Sequence, residues 1–226
     1  DDLQDVTIPY SKLSNLEEVA VGGFATLFRA TYQGEVVAVK KLHNQGESVS
    51  LLEAGFRELQ HETFVMRALS HPNVVELRGV CVMPLCMVMP YFPLGSLDAY
   101  LYSDAKRLKL SWRLVLKIAL DVARGLSYLN DEDFVHRDLR SPNILLASLS
   151  ETDLVNAKVT DFGLSTMLCG SLTGVKEYNE CWSAPEILER KPYGAKADVY
   201  SFGVLLYELL QKDFPFSEYN ATFANR

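Results

Sequence analysis

The sequence predicts an α+β fold in two lobes, a small antiparallel β lobe with one helix and then a larger, mainly helical lobe. Three features lead to it. Residues 16–42 form three runs rich in Val, Phe, Thr and Ala, separated by glycine-bearing turns; proline and glycine crowd into 90–95; and apolar residues beyond that point recur at helical spacing. The expected divisions are an N-terminal extension over 1–15, a β lobe over 16–89, a hinge over 90–95 and a helical lobe over 96–226.

In the first lobe the runs 16–21, 25–32 and 35–42 are split by Gly22-Gly23 and Gln33-Gly34, as in a meander with tight turns. Over 50–69 the residues Leu52, Phe56, Leu59, Thr63, Met66 and Leu69 recur close to the helical period. His71-Pro72-Asn73 ends that helix, because proline disfavours the α conformation in the residue before it. Short strands are expected at 74–80 and 85–89. Pro90-Tyr91-Phe92-Pro93-Leu94-Gly95 reads as the hinge. Ser111 is placed to cap a helix whose Leu114, Val115, Ile118, Val122, Leu126 and Leu129 line one face. In a second helix, 198–210, Val199, Phe202, Val204, Leu205, Leu206, Leu209 and Leu210 run nearly all the way round, so burial on every side is expected. A polar loop at 131–143, short strands and an irregular stretch to about residue 190 lie between the two.

A chain of 226 residues that is 48% hydrophobic and 23% charged can bury a sizeable core and is not a disordered chain. Its 22 basic residues against 29 acidic ones give a net charge of −7, so there is no basic field for nucleic acid or an anionic membrane, and neither partner is expected. Cys81, Cys86, Cys169 and Cys181 form no C-x-x-C pair and no zinc spacing, which points to a reducing, cytoplasmic compartment. No apolar run approaches the roughly 18 residues of a membrane span, so no transmembrane segment is expected.

The motifs that carry chemistry begin with Val37-Ala38-Val39-Lys40, one lysine in an otherwise apolar strand. Such a lysine ordinarily alternates outward to water, and Glu62 on the following helix ordinarily faces solvent beside Arg57 or Arg67. Then come His136-Arg137-Asp138-Leu139-Arg140-Ser141-Pro142-Asn143, Asp161-Phe162-Gly163 and Ala184-Pro185-Glu186, in that order. The ordered set resembles the signature of the eukaryotic protein kinase family, from about Leu16 to the end of the chain. The stretches 143–149 and 157–165, with a polar insertion between them, are similar to the tyrosine-kinase-like group. Arg140 in place of lysine and Met83-Pro84-Leu85-Cys86 place the Roco, or leucine-rich-repeat kinase, branch nearest.

The resemblance implies transfer of the γ-phosphoryl group of ATP to Ser or Thr hydroxyls of protein substrates, with Mg²⁺. Phosphoryl transfer asks a protein for cations, metal-holding oxygens and one acceptor for the hydroxyl proton. By resemblance Lys40 meets the α- and β-phosphates and is held by Glu62. Asn143 and Asp161 carry the metal, Asp138 faces the incoming hydroxyl, and Arg140 stands near the transferred phosphate. The nucleotide's apolar slot takes Val19, Leu27 and Ala38 as roof, Leu145 as floor, Met89 as gatekeeper, and Pro90 and Phe92 as hinge contacts. The loop over the phosphates is Ala20-Val21-Gly22-Gly23-Phe24-Ala25.

Two departures stand out. Alanines at 20 and 25 replace the first and third glycines of the phosphate loop, which opens a rival reading, a pseudokinase-like nucleotide-binding or scaffolding domain. Asn179 stands where most Ser/Thr kinases have threonine. In the loop from Asp161 to Glu186 the hydroxyls Ser165, Thr166, Ser171, Thr173, Tyr178 and Ser183 are candidate phosphate acceptors for Arg137, with Thr173 and Ser171 preferred. A helical lobe of this family continues past the 198–210 helix and supplies an arginine for Glu186, whereas only Gln211 to Arg226 follow here. The expectation is therefore a partner, or self-association, at an exposed part of that lobe.

Overall fold

The computed structural model describes residues 6–23, 25–43, 49–107, 110–168, 170–173 and 179–217, with the backbone alone at 49–52, 104 and 107. It divides into two compact units, Asp1–Ser70 with Val75–Phe92 and His71–Val74 with Pro93–Arg226. The first is a five-stranded antiparallel sheet and a helix. Strands β1 (Ser14–Val21), β2 (Ala25–Tyr32), β3 (Glu35–Leu42), β4 (Gly79–Cys81) and β5 (Cys86–Pro90) lie in the order β1-β2-β3-β5-β4. Gln33 and Gly34 both take positive φ, 51° and 86°, as a two-residue hairpin turn between right-twisted strands requires.

Strand alternation gives the sheet two different faces. Ala30, Val37, Val39, Cys81, Cys86 and Val88 point to one side and form a core with Ile8 and Leu13. The segment carrying Ile8 is fixed at the β4 edge by Ile8 N–H donating to the Val80 carbonyl at 2.7 Å. Leu27 lies opposite Lys40, and Ala38 opposite Met89, so these four share the other face. Helix α1 (Val49–Ala68) meets the sheet on that side, where Thr63 Oγ1 contacts Met87 Sδ.

Several boundaries differ from expectation. Strand β1 starts two residues early, and residues 8 and 13, assigned to an extension, are core. The strand expected at 74–80 shrinks to β4, because Val74 pairs with Val159 in the helical unit. Phe56, expected on the inner face of α1, is exposed, whereas Leu59, Thr63, Met66 and Leu69 are buried.

The helical unit contains α2 (Asp98–Leu101), α3 (Asp104–Arg107), α4 (Trp112–Asp131), β6 (Phe134–Val135), β7 (Ile144–Leu146), β8 (Ala157–Val159), β9 (Thr166–Met167), α5 (Pro185–Leu188) and α6 (Lys196–Gln211). Ser111 caps α4, its Oγ accepting from Leu114 N–H at 3.2 Å. Leu114, Val115, Ile118, Val122 and Leu129 are buried as the period required. Buried Asp121 on the same face accepts the N–H groups of Asn156 at 2.6 Å and Ala157 at 3.1 Å, which ties α4 to the start of β8. Paired strands β7 and β8 lead directly into the segments around Asn143 and Asp161. No described helix is long and apolar enough to cross a membrane.

Helix α6 corrects the expectation of burial on every side. Val199 is 65% exposed and Leu210 49%, while Asp198, Ser201 and Glu208 are buried with Val204, Leu205 and Leu209. The apolar residues are spread round the helix, but Asp198, Ser201 and Glu208 cluster inward because each meets backbone or side-chain donors and acceptors there. Ser201 Oγ donates to the Trp182 carbonyl at 2.7 Å. Glu208 accepts from Ser141 Oγ at 2.6 Å, from Trp182 Nε1 at 2.6 Å and from the Tyr102 hydroxyl. Burial pushes the Glu208 carboxyl above its ordinary value of 4.5, and the three donors pull it back.

A Cβ on Gly125 of α4 would stand 2.8 Å from the Asn73 carbonyl oxygen and 3.0 Å from a Val159 methyl. Overpacking of this kind costs about 1–3 kcal/mol, against a helix-propensity gain of about 1 kcal/mol for Gly→Ala. Gly125→Ala is therefore expected to lower the melting temperature, whereas Gly203→Ala, which meets nothing within 4 Å on α6, should raise it. Thermal melts of the two variants check the pair. Glu208→Gln should destabilise by about 1–3 kcal/mol, because the amide cannot accept from all three donors and leaves one buried and unpaired. The pH dependence has a definite sign. A carboxyl whose folded value is raised contributes stability that is complete below its unfolded value and is lost as pH rises through the folded one. Urea unfolding across that acidic window should show this fall in the wild type and a weaker one in Glu208→Gln.

Candidate active site

In the β-rich unit the register of β2 and β3 sets Lys40 beside Leu27, and α1 carries Glu62 to it. Lys40 Nζ donates to Glu62 Oε2 at 2.6 Å, with the lysine side chain 26% exposed and the glutamate 4%. The two bland expectations therefore fail. The strand turns Lys40 to the helix side rather than to open solvent, and Arg57 pairs with Glu53, not Glu62. An ion pair shielded to this degree is stiffer than one at the surface, since removing either partner leaves a charge without compensation.

The other residues expected of this unit fall as follows. Leu27 and Ala38 share the Lys40 face, with Met89 opposite Ala38, and Pro90 ends β5 opposite Val37. Phe92 is half-buried at the end of the unit. Val19 lies at an irregularity of β1 and is 48% exposed. Ala20 pairs with Leu27 and Val21 with Thr26, while Ala25 pairs with Leu42. Gly22 N–H donates to the Ala25 carbonyl at 2.9 Å and closes the turn; Phe24 lies outside the described residues. Ala20 and Ala25 are ladder residues without positive φ, so the left-handed freedom of glycine is not called on at either.

The helical unit holds the loop 136–143, and buried Asp198 of α6 anchors it. Asp198 Oδ2 accepts His136 N–H at 2.7 Å and Oδ1 accepts Arg137 N–H at 2.9 Å. Burial pushes the Asp198 carboxyl up, and the two amides and the Arg137 charge oppose that. Arg137 is held at φ 71°, a left-handed conformation that costs a non-glycine residue about 1–3 kcal/mol. His136 is fully buried against Phe162, ring centroids 5.3 Å apart. Its Nδ1 accepts Asp138 N–H at 3.3 Å, so the proton sits on Nε2, which donates to the Thr160 carbonyl at 3.0 Å.

Asp138 emerges from this scaffold with its carboxylate fixed. Oδ2 accepts from Asn143 Nδ2 at 2.8 Å and from Arg140 Nε at 3.3 Å, and Oδ1 accepts from Asn179 Nδ2. The second amide hydrogen of Asn143 goes to the Asp138 carbonyl at 2.8 Å, which leaves Asn143 Oδ1 with no donor among the described residues. Thr160 N–H donates to the Asn143 carbonyl at 3.0 Å and brings Asp161 alongside. Asp161 takes φ 66°, and its carboxylate has no hydrogen-bond or ionic partner among the described residues. Two uncommitted hard oxygens on adjacent segments fit a divalent cation of the kind that takes few protein ligands and keeps water or phosphate oxygens. No group of three or more His, Cys, Asp or Glu side chains among the described residues offers an all-protein cage instead.

Leu145 sits on β7, opposite Lys158 of β8. Of the loop hydroxyls, Ser165 and Ser183 are buried and donate to the His136 and Asn179 carbonyls, while Ser171 and Thr173 are exposed; Tyr178 lies outside the described residues. The Arg137 guanidinium lies over the Tyr193 ring at 5.8 Å, and its Nε is buried without a partner. Motif spacing did not disclose the supporting roles of Asp198, Ser201 and Glu208. The available signal was three polar residues within an apolar helical run, at positions that share one face.

A family profile described as "Protein tyrosine and serine/threonine kinase" matches residues 13–224. Among curated proteins of Dictyostelium discoideum, the chain is 42% identical over 221 residues to "Probable serine/threonine-protein kinase pats1", covering 93% of this chain and 7% of that protein. It is 36% identical to "Probable serine/threonine-protein kinase roco5" and 36% identical to "Cyclic GMP-binding protein C", covering 94% and 95% of this chain. The chain thus spans less than a tenth of the length of these relatives, 8% of roco5 and 9% of the cyclic GMP-binding protein. A match along nearly its whole length, together with Roco proteins among its relatives, shows that the chain belongs to the protein kinase family, whose chemistry uses ATP and a divalent metal.

Proposed function

We propose that this domain transfers the γ-phosphoryl group of ATP, with Mg²⁺, to Ser or Thr hydroxyls of protein substrates. The observation that carries the reading is the Asp138 carboxylate, taken by three donors that occupy both lone-pair sites of Oδ2 and one of Oδ1. One acceptor site on Oδ1 remains for an incoming hydroxyl. As the hydroxyl oxygen bonds to the γ-phosphorus and the bridging P–O bond to ADP breaks, the hydroxyl proton passes to Asp138 Oδ1. Lys40, held by Glu62, stands for the α- and β-phosphates, and Arg140 for charge on the group in transfer. Asn143 Oδ1 and Asp161 would hold the metal, which when bound neutralises phosphate charge. Val19, Leu27, Ala38, Met89, Pro90, Phe92 and Leu145 would take the nucleotide base, and residues 20–25 its phosphates.

Ser/Thr preference rests on the names of the relatives. A phosphate on exposed Thr173 or Ser171 would give Arg137 a charged partner and order the loop.

The test is incorporation of labelled phosphate from ATP into a generic protein substrate, with phosphoamino-acid analysis of the product. Asp138→Asn and Asp161→Asn should lower the rate by about 10²–10⁴-fold, as loss of a proton-transfer or charge-bearing group does. Phosphate is expected on Ser and Thr of the substrate, and on Thr173 or Ser171 when the enzyme phosphorylates itself. An Mg·ATP-dependent rise in melting temperature with no turnover at any enzyme concentration would instead establish the scaffolding reading.

A further inference from the structure

We infer that Cys81 and Cys86 are a redox modification site, a dithiol that hydrogen peroxide converts to a disulfide across the β4–β5 hairpin. The ladder sets the two residues directly opposite one another, as the last pair before the loop 82–85. Opposed residues of an antiparallel pair have Cα atoms about 4.5 or 5.5 Å apart, and both values lie inside the roughly 4.4–6.8 Å span of a disulfide. Both side chains leave the same face of the sheet and join one core with Ile8 and Leu13. No strand has to slip or turn over for the sulfurs to meet.

The two thiols have different roles. Cys86 Sγ donates to the Pro84 carbonyl at 3.3 Å, and the Cys81 sulfur is a second acceptor within its reach. That S–H pulls the Cys81 thiol below its ordinary value, whereas the same hydrogen bond, with burial, pushes Cys86 up. Cys81 is therefore the first to supply a thiolate. Its sulfur attacks one peroxide oxygen, the O–O bond breaks, hydroxide leaves and a sulfenic acid remains. Cys86 Sγ then attacks that sulfur, the sulfenic hydroxyl departs with the Cys86 proton as water, and the S–S bond closes. Two thiol sulfurs are oxidised and one peroxide is reduced.

Both cysteines are fully buried, so oxidant reaches them through local opening. The fold provides a weak point there. Strand β4 is three residues long and is the outer strand of the sheet. Its outer side is covered by the segment at 7–8, through Ile8 N–H on the Val80 carbonyl and a bridge between Thr7 and Val80. Val82 and Met83 in the adjoining loop are exposed. The last pair of a short edge strand beside an exposed loop opens at lower cost than the centre of a sheet. Closure ties that strand to β5, whose Met87 lies opposite Lys40. In a reducing compartment the bond forms transiently and is reversed by thiol exchange.

The experiment treats the folded domain with hydrogen peroxide, at a dose that fully oxidises N-acetylcysteine in a parallel tube. After catalase the protein is unfolded, alkylated and weighed by mass spectrometry. A Cys169→Ser, Cys181→Ser background leaves only the pair, and the digested wild type repeats the readout without substitutions. Untreated background protein should take two alkyl groups. Treated protein should take none, weigh two hydrogens less, and regain both thiols in dithiothreitol. In Cys86→Ala, dimedone, which traps sulfenic acids, should label Cys81; in Cys81→Ala, Cys86 should react about tenfold more slowly or less. Two free thiols at 81 and 86 after treatment would overturn the inference. So would bonds formed only between chains, or pairing that appears in urea-unfolded protein and not in the folded domain.

Discussion

The loop 136–143 depends on one buried carboxylate. Asp198 accepts two consecutive backbone amides, those of His136 and Arg137, and the left-handed φ of Arg137 is part of the conformation that presents both N–H groups to it. The interaction offsets two costs, the desolvation of Asp198 and the left-handed φ of Arg137. A hydrogen bond to a charged group contributes about 1.5–3 kcal/mol and the strain about 1–3 kcal/mol, so two such bonds outweigh the strained residue. Removing the anchor frees Arg137 to relax, and Asp138, the next residue, goes with it.

Helix α6 works as a frame rather than as a core helix. Asp198 holds the 136–137 backbone, Ser201 and Glu208 hold Trp182, and Glu208 also holds Ser141 and Tyr102. Loops from three parts of the chain are thus referenced to one rigid element, as a site positioned to fractions of an ångström requires. The β-rich unit uses a different device. Its sheet register decides which face Lys40 takes, and a one-residue slip would send Lys40 to the side of Val37 and Val39 and break the 2.6 Å pair with Glu62.

Much of this was legible in the sequence, and the reasons are specific. Strand runs bounded by glycine gave β2 and β3 to the residue, because alternation and turn chemistry are local. The Ser111 cap and the apolar face of α4 were equally plain. Motif order led to Asp138, Asn143 and Asp161, which do lie on adjoining segments. In helix α6 burial follows the position of Asp198, Ser201 and Glu208 and not the apolar count, which is why its sequence points to burial all round. At Val74 a bridge to Val159, far along the chain, outweighs local strand propensity. Asn179 stood out in sequence only as an odd substitution; its contact with Asp138 depends on a tertiary turn that no local pattern encodes.

Amide hydrogen exchange at His136 and Arg137 tests most directly whether Asp198 seats the 136–143 loop. In the wild type both amides should be protected to the level of the buried turns of α6. In Asp198→Asn, whose amide group cannot accept at both positions, at least one of the two should exchange markedly faster while the core of α4 stays protected. Equal protection in wild type and variant would contradict the role assigned to Asp198, since the loop would then be held without it.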